Sequence, residues 1–215
     1  LSLDCFATAT ITEDDRRRSE MYANQRRRTE LKVQVGSMDE WLESLGIVVS
    51  VESISRTNLS RATQLLNKTN QMNLSTRRLT EEQFRDCAAA PEHHVWAVRV
   101  GDKFGDSGLT GIIGIETNGK KAKLTDFVLS CRVMGRRIEN AMLRFATEWG
   151  RSNGIEELYA EFIPTEKNKP CLNFFLNSGM ADSGKGVFMW LYADDLPKQS
   201  HIDLVDTSIN SNERI

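Results

Sequence analysis

Hydrophobic and polar positions change their rhythm several times along the chain. From 12 to 45 the apolar residues are sparse: Met21, Leu31, Met38, Trp41, Leu42 and Leu45 in a polar background, an intermittent helical spacing. Thr12 is a candidate cap, with Glu13, Asp14 and Asp15 suited to a first turn, and Gly36-Ser37 marks a break and a new cap. From 46 to about 193 strand and helix signals alternate. "GIVVSVESI" alternates around Val49, Val51 and Ile54 and predicts a strand. "NLSRATQLLNKTNQMN" predicts a helix with Asn58 as cap and Leu59, Ala62, Leu65 and Leu66 on one face. "LTEEQFRDCAA" predicts a second, capped by Thr80.

"HVWAVRVGDKFGDSGLTGIIGIET" predicts a hairpin of two strands, with "FGDSG" (104–108) as its turn. "AKLTDFVLS" predicts a further strand, 136–153 a helix, "IEELYAEFI" a strand, "NKPCLNFFLNSG" a short helix and "GVFMWLY" a last strand. The expected fold is α/β, a mixed and mostly antiparallel sheet preceded by a long N-terminal helix. Three regions follow: 1–45, 46–193 and 194–215, the last expected to be a polar tail or linker. Trp96, Trp149 and Trp190, with Phe127, Phe145 and Phe188, fall at burial spacing, and Trp41 is expected to pack the N-terminal helices onto the sheet.

Composition narrows the classes. The 215 residues are 40% hydrophobic and 27% charged, with a net charge of -2, so general nucleic-acid binding is not expected. No apolar run approaches the length of a membrane span. Cys5, Cys87, Cys131 and Cys171 form no C-x-x-C pair, which argues against a metal site and for reduced thiols in a cytoplasm. The chain opens abruptly without methionine and without a signal-peptide pattern, and is expected to be a piece of something longer.

The most informative stretch is "FVLSCRVMGRRIENAML", 127–143. An apolar strand stops at Ser130-Cys131; Arg132, Gly135, Arg136 and Arg137 follow; a helix then begins at Ile138. A helix N-terminus offers unpaired N–H groups and a partial positive charge worth roughly 0.3–1 kcal/mol to an anion. Gly135 admits close approach of the backbone, and the arginines can add charge-assisted hydrogen bonds.

With that turn at its strand-to-helix junction, the element order resembles the GNAT acyltransferase fold. The resemblance implies that Phe127, Leu129, Arg132, Val133, Met134, Gly135, Arg136, Arg137, Ile138 and Asn168 contact the pyrophosphate and pantetheine of coenzyme A or of a carrier protein. Arg137 departs from the small residue of the family motif. "TEDDRRRSEMYANQRRR", "TNQMNLSTRRLT", "FGDSGLTGIIG", "LSCRVMGRRIE" and "PTEKNKP" together resemble the C-terminal half of FkbH-like proteins of polyketide biosynthesis. That resemblance implies an acyl carrier protein as partner and an upstream HAD-type domain, of which 1–45 would be the last element or connector. The aspartate motif of such a domain is absent: "LDCFATAT" has Asp4 but Phe6 at the second position. The helix that often carries a catalytic tyrosine in GNAT enzymes has Phe174 and Phe175.

Two residues are candidates for chemistry. Asp126, before the turn, is a general base or a structural carboxylate bonded to a neighbouring loop. Cys131, at the strand end, is an acyl relay or an inert thiol. His93 and His94 start a strand, nothing in the sequence places a carboxylate or metal beside them, and surface histidines are the default expectation for both. The loop 69–78 supplies Asn70, Asn73, Arg77 and Arg78 toward a substrate or carrier protein, or caps helices through Asn73 and Thr76. The arginines at 77–78 and 136–137 form one candidate carrier dock; internal pairing of Arg77 and Arg78 with Glu81 and Asp126 is the alternative. The triplets 16–18 and 26–28 form a solvated helix face or another dock. Three functions remain open: an acyl-handling domain of a carrier-protein loading enzyme, a catalytically silent docking module, and a small-amine N-acetyltransferase, against which the missing tyrosine weighs.

Overall fold

A computed structural model describes residues 13–192, 196 and 198–208, with side chains from 19 onward. Asp4, Cys5, Phe6, Thr12 and the side chains of Arg16 to Arg18 lie outside the described residues. Helix α1 (Glu13–Gln34) and helix α2 (Met38–Leu45) lead into strand β1 (Ile47–Ser53). Ser37 Oγ caps α2 by accepting from Glu40 N–H, as the Gly-Ser break suggests. Helix α3 (Leu59–Lys68), the two-residue strand β2 (Met72–Asn73) and helix α4 (Glu81–Ala89) follow. Strands β3 (His93–Asp102), β4 (Gly105–Asn118) and β5 (Lys121–Leu129) form a meander. Helix α5 (Ile138–Ser152), β6 (Glu157–Glu161), helix α6 (Lys169–Leu176), β7 (Ala181–Asp182), β8 (Val187–Trp190) and β9 (Ile202–Asp206) complete the described order.

The strands make one sheet in the order β7-β8-β6-β5-β4-β3-β1-β9, with β2 also on β5. Among the described residues only the β5–β6 and β1–β9 pairings are parallel, so the sheet is mixed and mostly antiparallel. Strand alternation divides two cores. Val95 and Ala97 face α3 and α4 with Leu59, Leu66 and Phe84. Trp96 and Val98 face the opposite layer, where Trp41 and Leu42 of α2, Met142 and Phe145 of α5 and Phe175 of α6 pack. Thr80 caps α4 in a reciprocal capping box with Gln83.

Four sequence expectations need correction. "FGDSG" is not itself the hairpin turn: the strand resumes at Gly105, Gly105 and Asp106 pair with Asp102 and Gly101, and the register shifts between Val98 and Gly101 take up Ser107, Gly108 and Thr110. Asn58 sits at the start of α3 without capping it; its amide donates to the Ser53 carbonyl and its oxygen accepts from Ser55 N–H, binding the helix back to β1. Nor does Asn73 cap a helix, because it lies in β2, inside what reads as a loop. Finally, the polar tail contains β9, parallel to β1 from Ile47↔Ile202 to Val51↔Asp206. Its apolar residues are too few to stand out in sequence, but Ile202 is buried and Leu204 packs against the core.

Candidate functional site

Strand β5 holds the site. Its outer edge pairs with β6 only from Lys121 to Leu124. A bulge follows: Gly114 faces Asp126 while Ile115 faces Leu124, leaving Thr125 over. The extra residue turns Asp126 toward the α3/α4 layer, whereas Leu124 and Phe127 both face the other core. Beyond the bulge β5 and β6 part.

The chain fills this gap itself. Met72 and Asn73 pair with Leu129 and Val128, and Leu74 N–H donates to the Phe127 carbonyl at 3.2 Å. On the other side, Ile163 N–H donates to the Leu74 carbonyl at 3.0 Å. The segment 72–74 is therefore a wedge, bonded by its backbone to both walls. Asn168 fixes it from below: its amide donates to the carbonyls of Asn73 (3.1 Å) and Ile163 (2.8 Å), and its oxygen accepts from Thr165 N–H (2.7 Å). Asn73 shapes the wedge's own loop, donating to the Thr69 carbonyl and accepting from Thr76 N–H. Thr76 has a left-handed φ of 52°, unusual for a branched residue. Arg78 donates to the Leu66 carbonyl and to Asn70 Oδ1, tying the loop to the end of α3.

Arg77 closes the same loop onto β5. Its Nε donates to Asp126 Oδ1 at 2.7 Å and its Nη2 to Asp126 Oδ2. Asp126 is wholly buried. Burial works against the Arg77 cation, but hydrogen bonding and charge from Asp126 overcome it and hold the guanidinium above its ordinary range. The internal pairing open in the sequence for Arg77 is the arrangement found, through Asp126.

At the C-terminal end of β5 comes the turn. Ser130 leads into a single 3-10 turn, Cys131–Val133, and α5 starts at Ile138. Gly135 has φ 78° and Arg137 φ 60°. A Cβ at Gly135 would meet nothing within 4 Å, so glycine is there for its left-handed backbone and not for want of space. Cys131 is exposed. Arg132 is half-buried, donating to Ser130 Oγ and to the Ser107 carbonyl; burial and then the like charge of Arg61 lower its pKa. Arg137 reaches Asp39 on α2 at 2.7 Å.

Arg136 points inward. The side chain of Asp102, at the end of β3, is wholly buried and receives two bonds from Arg28 of α1 (2.6 and 2.7 Å) and one from Arg136 (3.0 Å). Arg136 also donates to the Arg132 carbonyl, bracing the turn. Burial first, then the charge of Arg28, pushes Arg136 down to about 10. One member of the second arginine triplet thus stands inside the protein, while Arg26 and Arg27 are exposed.

The side chains of Phe127, Leu129, Val133 and Ile138 are fully buried, and Met134 packs against the core. Of the four buried residues only the backbone can face a ligand. Phe127 stacks on Phe174 and meets Phe175 edge-on, so the α6 aromatics are core residues. Sequence reasoning missed Asp102 and Arg28 as a pair with Arg136, since 74 residues separate the first two. Gly114 could have signalled the bulge: a Cβ there would lie 2.7 Å from Asp126 Oδ2.

Chemically, the turn can hold an anion between the α5 N-terminus and the flanking arginines. The strand edge beside it cannot accept an extended ligand while 72–74 occupies it. Among the described residues no group of three or more His, Cys, Asp or Glu could hold a metal, and no helix is long and apolar enough to cross a membrane.

No family model matches this sequence, and no curated protein matches it. Solved structures do resemble it. A domain from Methanocaldococcus jannaschii shares 12% identity, with a TM-score of 0.53 over 66% of this chain and 97% of that one. The spermidine N-acetyltransferase from Vibrio cholerae, solved with CoA and spermine, shares 13%, with a TM-score of 0.51 over 63% and 82%. A protein assigned to the GNAT family from Desulfovibrio desulfuricans shares 14%, with a TM-score of 0.50 over 68% and 99%. At such identities the likeness is one of architecture, and what it establishes is that this chain has the fold of the GNAT acetyltransferases.

Proposed function

We propose that this domain recognises the phosphopantetheine of an acyl carrier protein, or of coenzyme A, at the turn 130–138 and binds without transferring. In this reading the acyl chemistry belongs to an upstream HAD-type domain, as in the FkbH-like proteins that the sequence resembles. The observation that carries it is the wedge 72–74, hydrogen-bonded to both Phe127 and Ile163. A pantetheine arm reaching along β5 needs those backbone groups. Three features support the same reading: α6 offers Phe174 and Phe175 and no tyrosine, Asp126 is engaged by Arg77, and a left-handed Gly135 leads into the N-terminus of α5. A phosphate would meet the backbone of 135–138, with Arg132 and Arg137 alongside. The carrier dock at 77–78 and 136–137 is narrowed by the inward commitments of Arg77 and Arg136, which leaves Arg132 and Arg137 as the charges beside the turn.

Calorimetry with coenzyme A and with a holo carrier protein tests the turn. Gly135→Asn keeps a residue tolerant of the left-handed region, and Gly135→Asp adds charge to a similar backbone cost. Binding retained by the first and lost by the second is expected; equal binding by both removes the site. Amine transfer is the second reading, favoured by the fold shared with spermidine N-acetyltransferase. Thiol release from acetyl-CoA in the presence of spermidine or other small amines would establish that reading and overturn ours.

A further inference from the structure

Outside this turn one nucleophile has two catalytically capable neighbours. Cys87, in the last turn of α4, places Sγ 3.6 Å from His93 Nδ1 and 3.6 Å from Arg77 Nη2. The thiol is partly exposed, as is His93. The same Nη2 of Arg77 also serves Asp126. We propose that Cys87 is a reactive thiol that forms mixed disulfides with small disulfides, and that this modification frees the wedge 72–74 from β5.

The geometry supplies each part. The guanidinium stabilises negative charge on sulfur, and the imidazole accepts the thiol proton. The resulting thiolate attacks one sulfur of the small disulfide; a new S–S bond forms, the old one breaks, and the leaving thiolate takes the proton from His93. No other oxidant is needed. A second sulfur then stands about 2 Å from Sγ, in a space where Arg77 and His93 are at 3.6 Å. Arg77 is the neighbour whose movement matters, because it is the link between Cys87 and the buried Asp126. Displacing it leaves that carboxylate without its cation and removes the one side-chain link between β5 and the loop carrying 72–74 that runs through Asp126. The left-handed Thr76 next to it shows that the loop depends on its contacts to hold that shape. The thiol's reactivity stands apart from the functional reading above; only the use made of an opened slot rests on it.

Oxidised glutathione is the probe, with peptide mass spectrometry locating the adduct in the full chain. Cys87 should be modified roughly tenfold faster in the folded protein than in the urea-unfolded chain, despite its partial burial. His93→Gln should remove that acceleration with the fold retained. Hydrogen exchange of 70–78 should then speed up in the modified protein while β3 and β4 stay protected. A folded rate below the unfolded one, or an acceleration indifferent to His93→Gln, overturns the reactive thiol. Unchanged exchange in fully modified protein overturns the release.

Discussion

Asp102→Asn tests whether the buried charge cluster behind the turn holds the fold. Asp102 accepts from Arg28 twice, from Arg136 once, and from the Phe104 N–H at 2.9 Å. Its carboxylate is fully buried, and the side chains of Arg28 and Arg136 are 6% and 4% exposed. Two cations therefore share one anion. Asparagine keeps the shape, removes the charge, and turns an acceptor into a donor facing donors. Breaking a buried pair on one side costs about 3–5 kcal/mol, because the remaining charge stays desolvated. Here two guanidiniums are left. Arg28→Met does the opposite to the balance: it leaves Asp102 and Arg136 as a neutral pair and relieves the like charge that helps depress Arg136. Its cost should be smaller, about 1.5–3 kcal/mol from lost hydrogen bonds to a charged group. Urea unfolding followed by tryptophan fluorescence reads both. With a slope of about 2 kcal/mol per molar, the midpoint of Asp102→Asn should fall by roughly 1.5–2.5 M. Equal losses for the two variants would refute the charge-balance reasoning. A loss below about 1 kcal/mol for Asp102→Asn would show that water reaches the cluster.

Three further outcomes are expected. Burial raises the Cys171 thiol from 9.0 to about 12; the folded chain then holds this proton more tightly than the unfolded one, so its contribution is complete below pH 9 and lost as pH rises toward 12. Urea titrations should show a steeper alkaline decline for wild type than for Cys171→Ala, by at most about 1.4 kcal/mol per pH unit. Gly114→Ala places a Cβ 2.7 Å from Asp126 Oδ2 and 3.0 Å from its Cβ; a loss of about 1–3 kcal/mol in thermal unfolding is expected from overpacking, and an unchanged Tm would mean that the bulge relaxes freely. Thr80→Ala removes one half of the α4 capping box and should cost about 1 kcal/mol by the same assay.

The elements whose apolar residues follow one period were legible in the sequence: β1, β3, α3, α5 and the break before α2. So was the turn, because Ser130, Gly135 and Ile138 mark strand end, left-handed backbone and helix start within nine positions of one another. What was not legible depends on distant partners. β2 is two residues long and exists only because β5 and Ile163 bond it. β9 is five residues long with only Ile202 buried, so β1 defines it. Arg77 and Arg136 look like surface charges until Asp126 and Asp102 are brought to them across the fold. Glycines at 105 and 108 read as a turn because sequence shows a left-handed preference without showing whether a turn or a bulge uses it. His93 had no visible partner, although Cys87 lies six residues before it, across the end of a helix.

The pairing of β1 with β9 bears on how the chain is born. Ser53 and the Ser208 carbonyl that it meets are 155 residues apart. During synthesis β1 leaves the ribosome well before β9, and β3 can cover one of its edges soon after. Its other edge waits until nearly the whole described chain has emerged. At translation rates of about 5–20 residues per second, that edge stands open for roughly ten to thirty seconds. Val49 and Val51 lie along it, a short hydrophobic template of the kind that pairs with strangers. The exposure is a period of vulnerability to aggregation, which a nascent-chain chaperone would cover. Ribosome-stalled chains ending before and after 202–206 would differ in protease resistance at β1 if this strand is the last latch to close.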